Sequence, residues 1–242
     1  ACVGEANVVV VAAALSSLDL LAGQSGPMSK DDLPLNPVKG QMSRGAQRGE
    51  PRAARPQRHD GVFVPQYRDE GLTPTWPGNI WSMGSTFERG VTNTAVTAEG
   101  HERNARSLET IAPAAAQRLR SELSKGTLLG WSQVRCASLD RLPLVGAAPD
   151  AQALRQQLET GRAQRRRVSL ADVPRWPGLH LLCAMGSRGI TLAPWCAAQL
   201  ALQINGETSQ VDQALLAALD PARFAVKNAR RQGATAEPTT AG

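Results

Sequence analysis

The stretch GLHLLCAMGSRGITLAP, Gly178 to Pro194, decides how the rest of the chain is read. Leu179 to Met185 has the apolar weight and the length of a buried strand. It runs into Gly186-Ser187-Arg188-Gly189 and then into a helical pattern from Ile190 to Ile204 that stops at Asn205-Gly206, a strong C-terminal signal. A strand, a glycine turn and a helix aim free backbone N–H groups at whatever lies beyond the strand's carboxyl end. Glycines let a flat ring approach the backbone, and a helix N-terminus favours negative charge. Thr191 is a candidate cap for the first turn, and Arg188 either adds charge or braces the loop. On spacing alone, a plain tight turn and a cradle for a flat, partly anionic ligand both stay open.

Working outward, Val8-Val9-Val10-Val11 is apolar on both faces and predicts a buried strand of a parallel sheet. Ala22 to Pro34 reads as a polar connection, and Leu35 to Gln41 as extended, with Pro37 discouraging helix at Asn36. Residues 44–58 carry Arg44, Arg48, Arg52, Arg55 and Arg58 and predict a flexible basic loop. Gly61–Pro65 and Asn79–Phe87 read as an antiparallel pair joined by a turn with Gly71, Pro74, Pro77 and Gly78. Glu99 to Leu123 has helical spacing that Pro113 bends or splits. Trp131–Cys136 and Leu142–Gly146 are short strand candidates. Ala151 to Arg167 is a polar helix candidate ending in Arg165-Arg166-Arg167. Val211 to Leu219 predicts a helix, Asp220-Pro221 a further helix start, and the segment after Arg231 a disordered tail. The sum is an α/β fold with an α+β insertion.

The chain has 242 residues, with 27 Lys and Arg against 21 Asp and Glu, a net charge of +6 that suits an anionic partner. Cys2, Cys136, Cys183 and Cys196 show no metal or redox spacing, and two of them sit in apolar segments, as reduced thiols of a cytoplasmic protein would. His59, His101 and His180 build no local metal cluster, so no metal is expected. The longest apolar run, Val8 to Leu15, is far short of a membrane span, and the N-terminus has no basic region of a signal peptide. The chain opens on ACVGEANVVVVAAAL without an initiator Met, as expected of a piece of a longer protein.

LPLNPVKGQMSR (33–44), DGVFVP (60–65), SMGSTFERG (82–90), VRCASLDRLPLVGAAPD (134–150), the opening stretch and LDPARF (219–224) follow one another in the order and spacing of one group. The chain resembles the C-terminal oxidoreductase part of the bifunctional tRNA 5-methylaminomethyl-2-thiouridine biosynthesis proteins, within the FAD-dependent D-amino-acid-oxidase/glycine-oxidase superfamily. The resemblance implies a partial Rossmann-like FAD-binding domain with an antiparallel-sheet substrate domain. The corresponding division is 1–32 and 131–231 for FAD-binding segments, 33–130 for the substrate domain and 232–242 for the tail. It also implies oxidative removal of a carboxymethyl group, as glyoxylate, from the wobble uridine of tRNA. A methyltransferase using S-adenosylmethionine, absent from this chain, then methylates the amine.

On that resemblance Gly186, Ser187, Arg188, Gly189, Ile190 and Thr191 are FAD contacts. Gly40, in a Lys39-Gly40-Gln41 segment similar to the family's Arg-Gly-Gln, is another. Arg135 corresponds to the arginine that grips the substrate carboxylate, a task suited to the planar guanidinium fork. The competing reading of Arg135 is a structural ion pair with Asp140. No general base is named, because a neutral amine needs none. The basic loop and Arg165 to Arg167 are candidate tRNA phosphate contacts, and Phe63, Tyr67, Trp76 and Trp81 candidate stacking rings. The GxGxxG fingerprint and its acidic ribose partner are absent, so the chain is expected to begin inside the FAD domain. Ala12-Ala13-Ala14 stands where the family has a glycine, Val62 where it more often has an aromatic residue, and Gln133 where it has a small one. A glycine-oxidase-like amine oxidase and a non-catalytic basic RNA-binding remnant are the alternatives.

Overall fold

A computed structural model describes residues 4–22, 28–29, 31–51, 53–68, 78–161 and 167–235. In chain order the elements are β1 (Val9–Val11), α1 (Ser17–Leu21), β2 (Leu35–Ala46), β3 (Gln57–Arg58), β4 (Val62–Arg68), β5 (Asn79–Gly84), β6 (Glu88–Arg89), α2 (Ala98–Ile111), α3 (Pro113–Ser124), β7 (Leu129–Ser138), β8 (Leu144–Pro149), α4 (Ala151–Glu159), β9 (Arg175–Cys183), α5 (Gly189–Asn205), α6 (Gln213–Leu219) and α7 (Arg223–Thr235). The chain divides into two units, one of Ala1–Asn36 with Arg135–Gly242 and one of Pro37–Val134.

The first unit is built on a sheet of order β1-β9-β8. β1 runs parallel to β9, with Val9 opposite Leu179 and Val11 opposite Leu181. The parallel pairing is as expected, but the burial is not. Val11 is buried, while Val8, Val9 and Val10 are 42–47 % exposed, because β1 is the edge strand among the described residues. β8 pairs with β9 antiparallel, Leu144 opposite Cys183, which makes the sheet mixed. Alternation along the strands gives each face its own core. Leu144, Leu181 and Cys183 join Val11 and Phe224 on one side. Val145 joins Cys196 and Leu200 of α5 and Leu219 of α6 on the other. Gly206 ends α5 in the left-handed conformation, as its sequence predicts. α7 begins at Arg223, after a turn in which Asp220 Oδ1 accepts the Ala222 N–H at 2.8 Å, and it continues past Arg231 to Thr235.

The second unit is an antiparallel sheet of order β3-β4-β5-β2-β6, with β7 also paired to β2. Pro113 splits the expected single helix into α2 and α3, where it takes the first position of α3. Ala105, Leu108, Ala115 and Leu119 press against Phe63, Trp81 and Met83 of the sheet. The basic segment 44–58 is not one flexible loop: Arg44 lies inside β2 and Arg58 in β3, where cross-strand pairing orders them. Arg52, Gly71, Pro74, Trp76, Pro77, Arg165 and Arg166 lie outside the described residues.

The helix-facing side of β2 carries a buried polar network that fixes α2. Gln41 Oε1 accepts the Thr97 N–H and Gln41 Nε2 donates to the Thr97 carbonyl, both at 2.8 Å. Thr97 in turn caps α2 by accepting the Gly100 N–H at 3.1 Å. A Cβ on Gly100 would meet Gln41 Oε1 at 2.5 Å, so this approach admits only glycine. Asn104 Nδ2 donates to the Ser43 hydroxyl, which also shares a hydrogen bond with His101 Nδ1 at 2.7 Å. Burial pushes the pKa of His101 down.

Two measurements check these cores. Leu119→Ala removes a fully buried side chain from the α3 contact and lowers unfolding free energy by about 2–5 kcal/mol in urea denaturation. In the first unit, burial raises the Asp140 carboxyl, but bidentate donation from Arg223 at 2.8 and 2.9 Å outweighs this and holds it at about 2. Asp140 binds fewer protons folded than unfolded below its ordinary value of 3.8. Its stabilisation, about 1 kcal/mol for a part-exposed pair, is present above pH ~4 and lost as pH falls toward 2. Asp140→Asn removes that segment of the stability–pH curve.

Candidate functional site

β9 ends at Cys183 because Ala184 turns into the left-handed region and Met185 makes an isolated bridge to Ala137 of β7. Gly186, at φ 58°, then donates its N–H to the Cys136 carbonyl at 2.8 Å. A Cβ on Gly186 would find its nearest neighbour, Ala137 Cβ, at 3.9 Å, so the glycine serves the backbone conformation rather than packing. The Arg188 N–H closes the turn on the Met185 carbonyl at 3.1 Å, and α5 starts at Gly189. The 178–194 stretch is thus a strand–turn–helix, and two backbone contacts tie its turn to β7.

The start of α5 is open. Leu192 makes the first helical bond, to the Arg188 carbonyl at 2.8 Å. Helix geometry gives the N–H groups of Gly189, Ile190 and Thr191 no acceptor within the helix, and no side chain caps the turn. Thr191 does not act as the expected cap. Its hydroxyl donates to the Arg188 carbonyl at 3.2 Å, which leaves the N–H groups untouched. Arg188 braces the loop by donating to the Arg141 carbonyl. Ile190 is 98 % exposed, and the nearest atom to a Cβ on Gly189 is Met185 Cβ at 3.7 Å. Unused backbone donors and uncrowded glycines fit the polar edge of a flat anionic ring, so Gly186 to Thr191 suit the pyrimidine end of a flavin.

Arg135 stands immediately before Cys136, whose carbonyl holds Gly186. Strand alternation puts Leu129, Trp131, Gln133 and Arg135 on one face of β7. The opposite face carries Gly130, whose Cβ position lies 3.1 Å from His101 Cε1, and buried Ser132. Burial pushes the Arg135 guanidinium down from its ordinary value, and it stays charged. The Asp140 carboxylate accepts from Arg223, the Leu142 N–H and the Ser138 hydroxyl. The neighbouring thiols are not nucleophiles: burial pushes Cys136 up to about 11 and Cys183 up to about 12. Among the described residues no group of three or more His, Cys, Asp or Glu is placed to hold a metal.

In the second unit, Gly40 lies in β2 between two committed neighbours. Lys39 is 2 % exposed and donates to the Ala95 carbonyl at 2.7 Å, and Gln41 holds Thr97. Of the rings expected to stack on bases, Phe63 and Trp81 are 1 % and 2 % exposed and belong to the helix–sheet core. Two exposed rings that the sequence reading missed are Trp131, whose indole has the Arg44 guanidinium 5.7 Å from a ring centroid, and Phe87, with the Arg89 guanidinium at 5.7 Å. The alternation Leu129-x-Trp131-x-Gln133-x-Arg135 carries the signal for Trp131.

No helix among the described residues is long and apolar enough to cross a membrane. The chain is 34% identical over 229 residues to the tRNA 5-methylaminomethyl-2-thiouridine biosynthesis bifunctional protein MnmC of Paracidovorax citrulli, covering 91% of this chain and 30% of that protein. It is 37% identical over 171 residues to the protein of that name from Ralstonia nicotianae, covering 71% of this chain and 24% of that one. The chain therefore spans less than a third of the length of these relatives. Glycine oxidase from Geobacillus kaustophilus shares the fold, with a TM-score of 0.55 at 20% identity over 89% of this chain and 45% of its own. The FAD dependent oxidoreductase family matches residues 1–203, and the chain belongs to that family.

Proposed function

We propose that this chain is the catalytic half-site of a cytoplasmic, tRNA-modifying FAD-dependent oxidoreductase. Its substrate is 5-carboxymethylaminomethyl-(2-thio)uridine at the wobble position, and its products are glyoxylate and the 5-aminomethyl nucleoside. A methyltransferase using S-adenosylmethionine, outside this chain, acts next on the freed amine. The observation that carries the reading is the Gly186 N–H to Cys136 carbonyl bond, which seats the residue after Arg135 against the turn that opens α5. A carboxylate clamp and a set of free N–H donors thereby share one corner of one unit. The identity with the bifunctional relatives over most of the chain supports the RNA substrate over a free amino acid.

Arg135 receives the carboxylate of the –NH–CH2–COO⁻ group through two parallel N–H donors, which fixes the CH2 in one orientation. The N–H groups of Gly189, Ile190 and Thr191 hold the polar edge of the flavin, Gly186, Ser187 and Arg188 form the turn that meets it, and Gly40 is offered as a further contact. FAD, when bound, supplies the acceptor for the two electrons of the carbon–hydrogen bond. The helix N-terminus favours the negative charge gathered at that edge. As the C–H bond breaks, the nitrogen lone pair forms a carbon–nitrogen double bond and the N–H proton leaves to solvent. Water adds to that carbon, and cleavage gives glyoxylate and the amine.

Arg135→Ala in the full-length enzyme lowers kcat/KM for glyoxylate release from the modified tRNA by about a hundredfold or more, because a buried charge-paired hydrogen bond is lost. Its tRNA affinity stays within about twofold. Equal activity in mutant and wild type removes Arg135 from the site. Turnover of free glycine with none of the modified tRNA replaces this reading with a glycine-oxidase-like one. Binding of tRNA with no flavin bound and no oxidation favours a non-catalytic RNA-binding role.

A further inference from the structure

The side of the second unit's sheet turned away from α2 and α3 has a chemistry of its own. Cross-strand register puts Met42, Arg44 and Ser82 on that side, with Val62 and Val64 beside them. Arg58, opposite Val62, and Arg89, opposite Val38, share it. None of the described strand residues on that side is acidic. Trp131 stands there 44 % exposed, with Arg44 over its ring. The buried Arg44 Nε makes no hydrogen bond among the described residues. An exposed indole backed by a guanidinium, among arginines and with no carboxylate among the described strand residues of that side, matches single-stranded nucleic acid, which offers both a π-face and a phosphate.

We propose that Trp131, backed by Arg44, is a stacking platform for an unpaired base of the substrate RNA. The inference rests on the tRNA reading above and adds a specificity-determining residue to it. The indole offers the π-face, and Arg44, over the ring, offers the charge for the adjoining phosphate, so one pair of side chains within one unit engages both parts of a nucleotide.

The test compares wild type, Trp131→Ala, Trp131→Leu and Trp131→Phe in the full chain by fluorescence anisotropy. One probe is a labelled anticodon stem–loop RNA and the other a blunt RNA duplex with the same number of phosphates. Trp131→Ala weakens stem–loop binding about tenfold and leaves duplex binding unchanged, the loss expected for one base–aromatic stack. Trp131→Phe retains most of the stem–loop affinity, whereas Trp131→Leu, apolar but without a π-face, loses it about tenfold and carries the test should the alanine variant misfold. Unchanged stem–loop affinity in the alanine or leucine variant, or an equal loss on both RNAs, overturns the platform and leaves the tRNA reading standing. Failure of the wild type to bind either RNA overturns both.

Discussion

The hydrogen bond from the Gly186 N–H to the Cys136 carbonyl is the constraint on which the site depends. It lets the turn after β9 end against β7 rather than in solvent, and the Met185–Ala137 bridge beside it sets the register. The turn requires φ > 0 at Gly186, where a side chain costs about 1 kcal/mol or more. From that fixed point α5 leaves with its first N–H groups uncommitted and with Cys196 and Leu200 buried beside Val145 of β8 and Leu219 of α6. That contact holds the exposed donors in place. Asp140 and Arg223 clamp the neighbouring turn to the start of α7, and Arg188 reaches across to the Arg141 carbonyl.

How much of this was legible in the sequence depends on how local the cause is. The strand–turn–helix at 178–205, its Gly206 stop and the break at Pro113 follow from residues within one turn of each boundary, and each is where the sequence puts it. Burial was less legible. Val8 to Val10 look like core because valine is apolar, but only the strand order shows that β1 has a neighbour on one side alone among the described residues. The basic segment 44–58 misled for a similar reason: arginine density resembles a solvated loop, while pairing with β5 and stacking on Trp131 order Arg44. Asp140 sits in the same motif as Arg135, but its partner Arg223 lies 83 positions beyond it, which no local pattern contains. Phe63 and Trp81 were chosen as stacking rings because they are aromatic, and the register of β4 and β5 turns both into the core.

β7 shows why the fold and the chemistry can vary separately. Its even positions, Gly130 and Ser132, lie against α2, where His101, Ser43, Asn104 and Gln41 form a network with little room for substitution. A charge or a bulky group there either strikes His101 or leaves a buried donor without an acceptor, at a cost of about 1–3 kcal/mol. Its odd positions, Leu129, Trp131 and Gln133, are exposed and cost the fold little to change. Sequence can therefore drift along the odd face while the even face preserves the sheet. Gln133, which departs from the small residue expected there, sits on the permissive side, so its size leaves the strand intact.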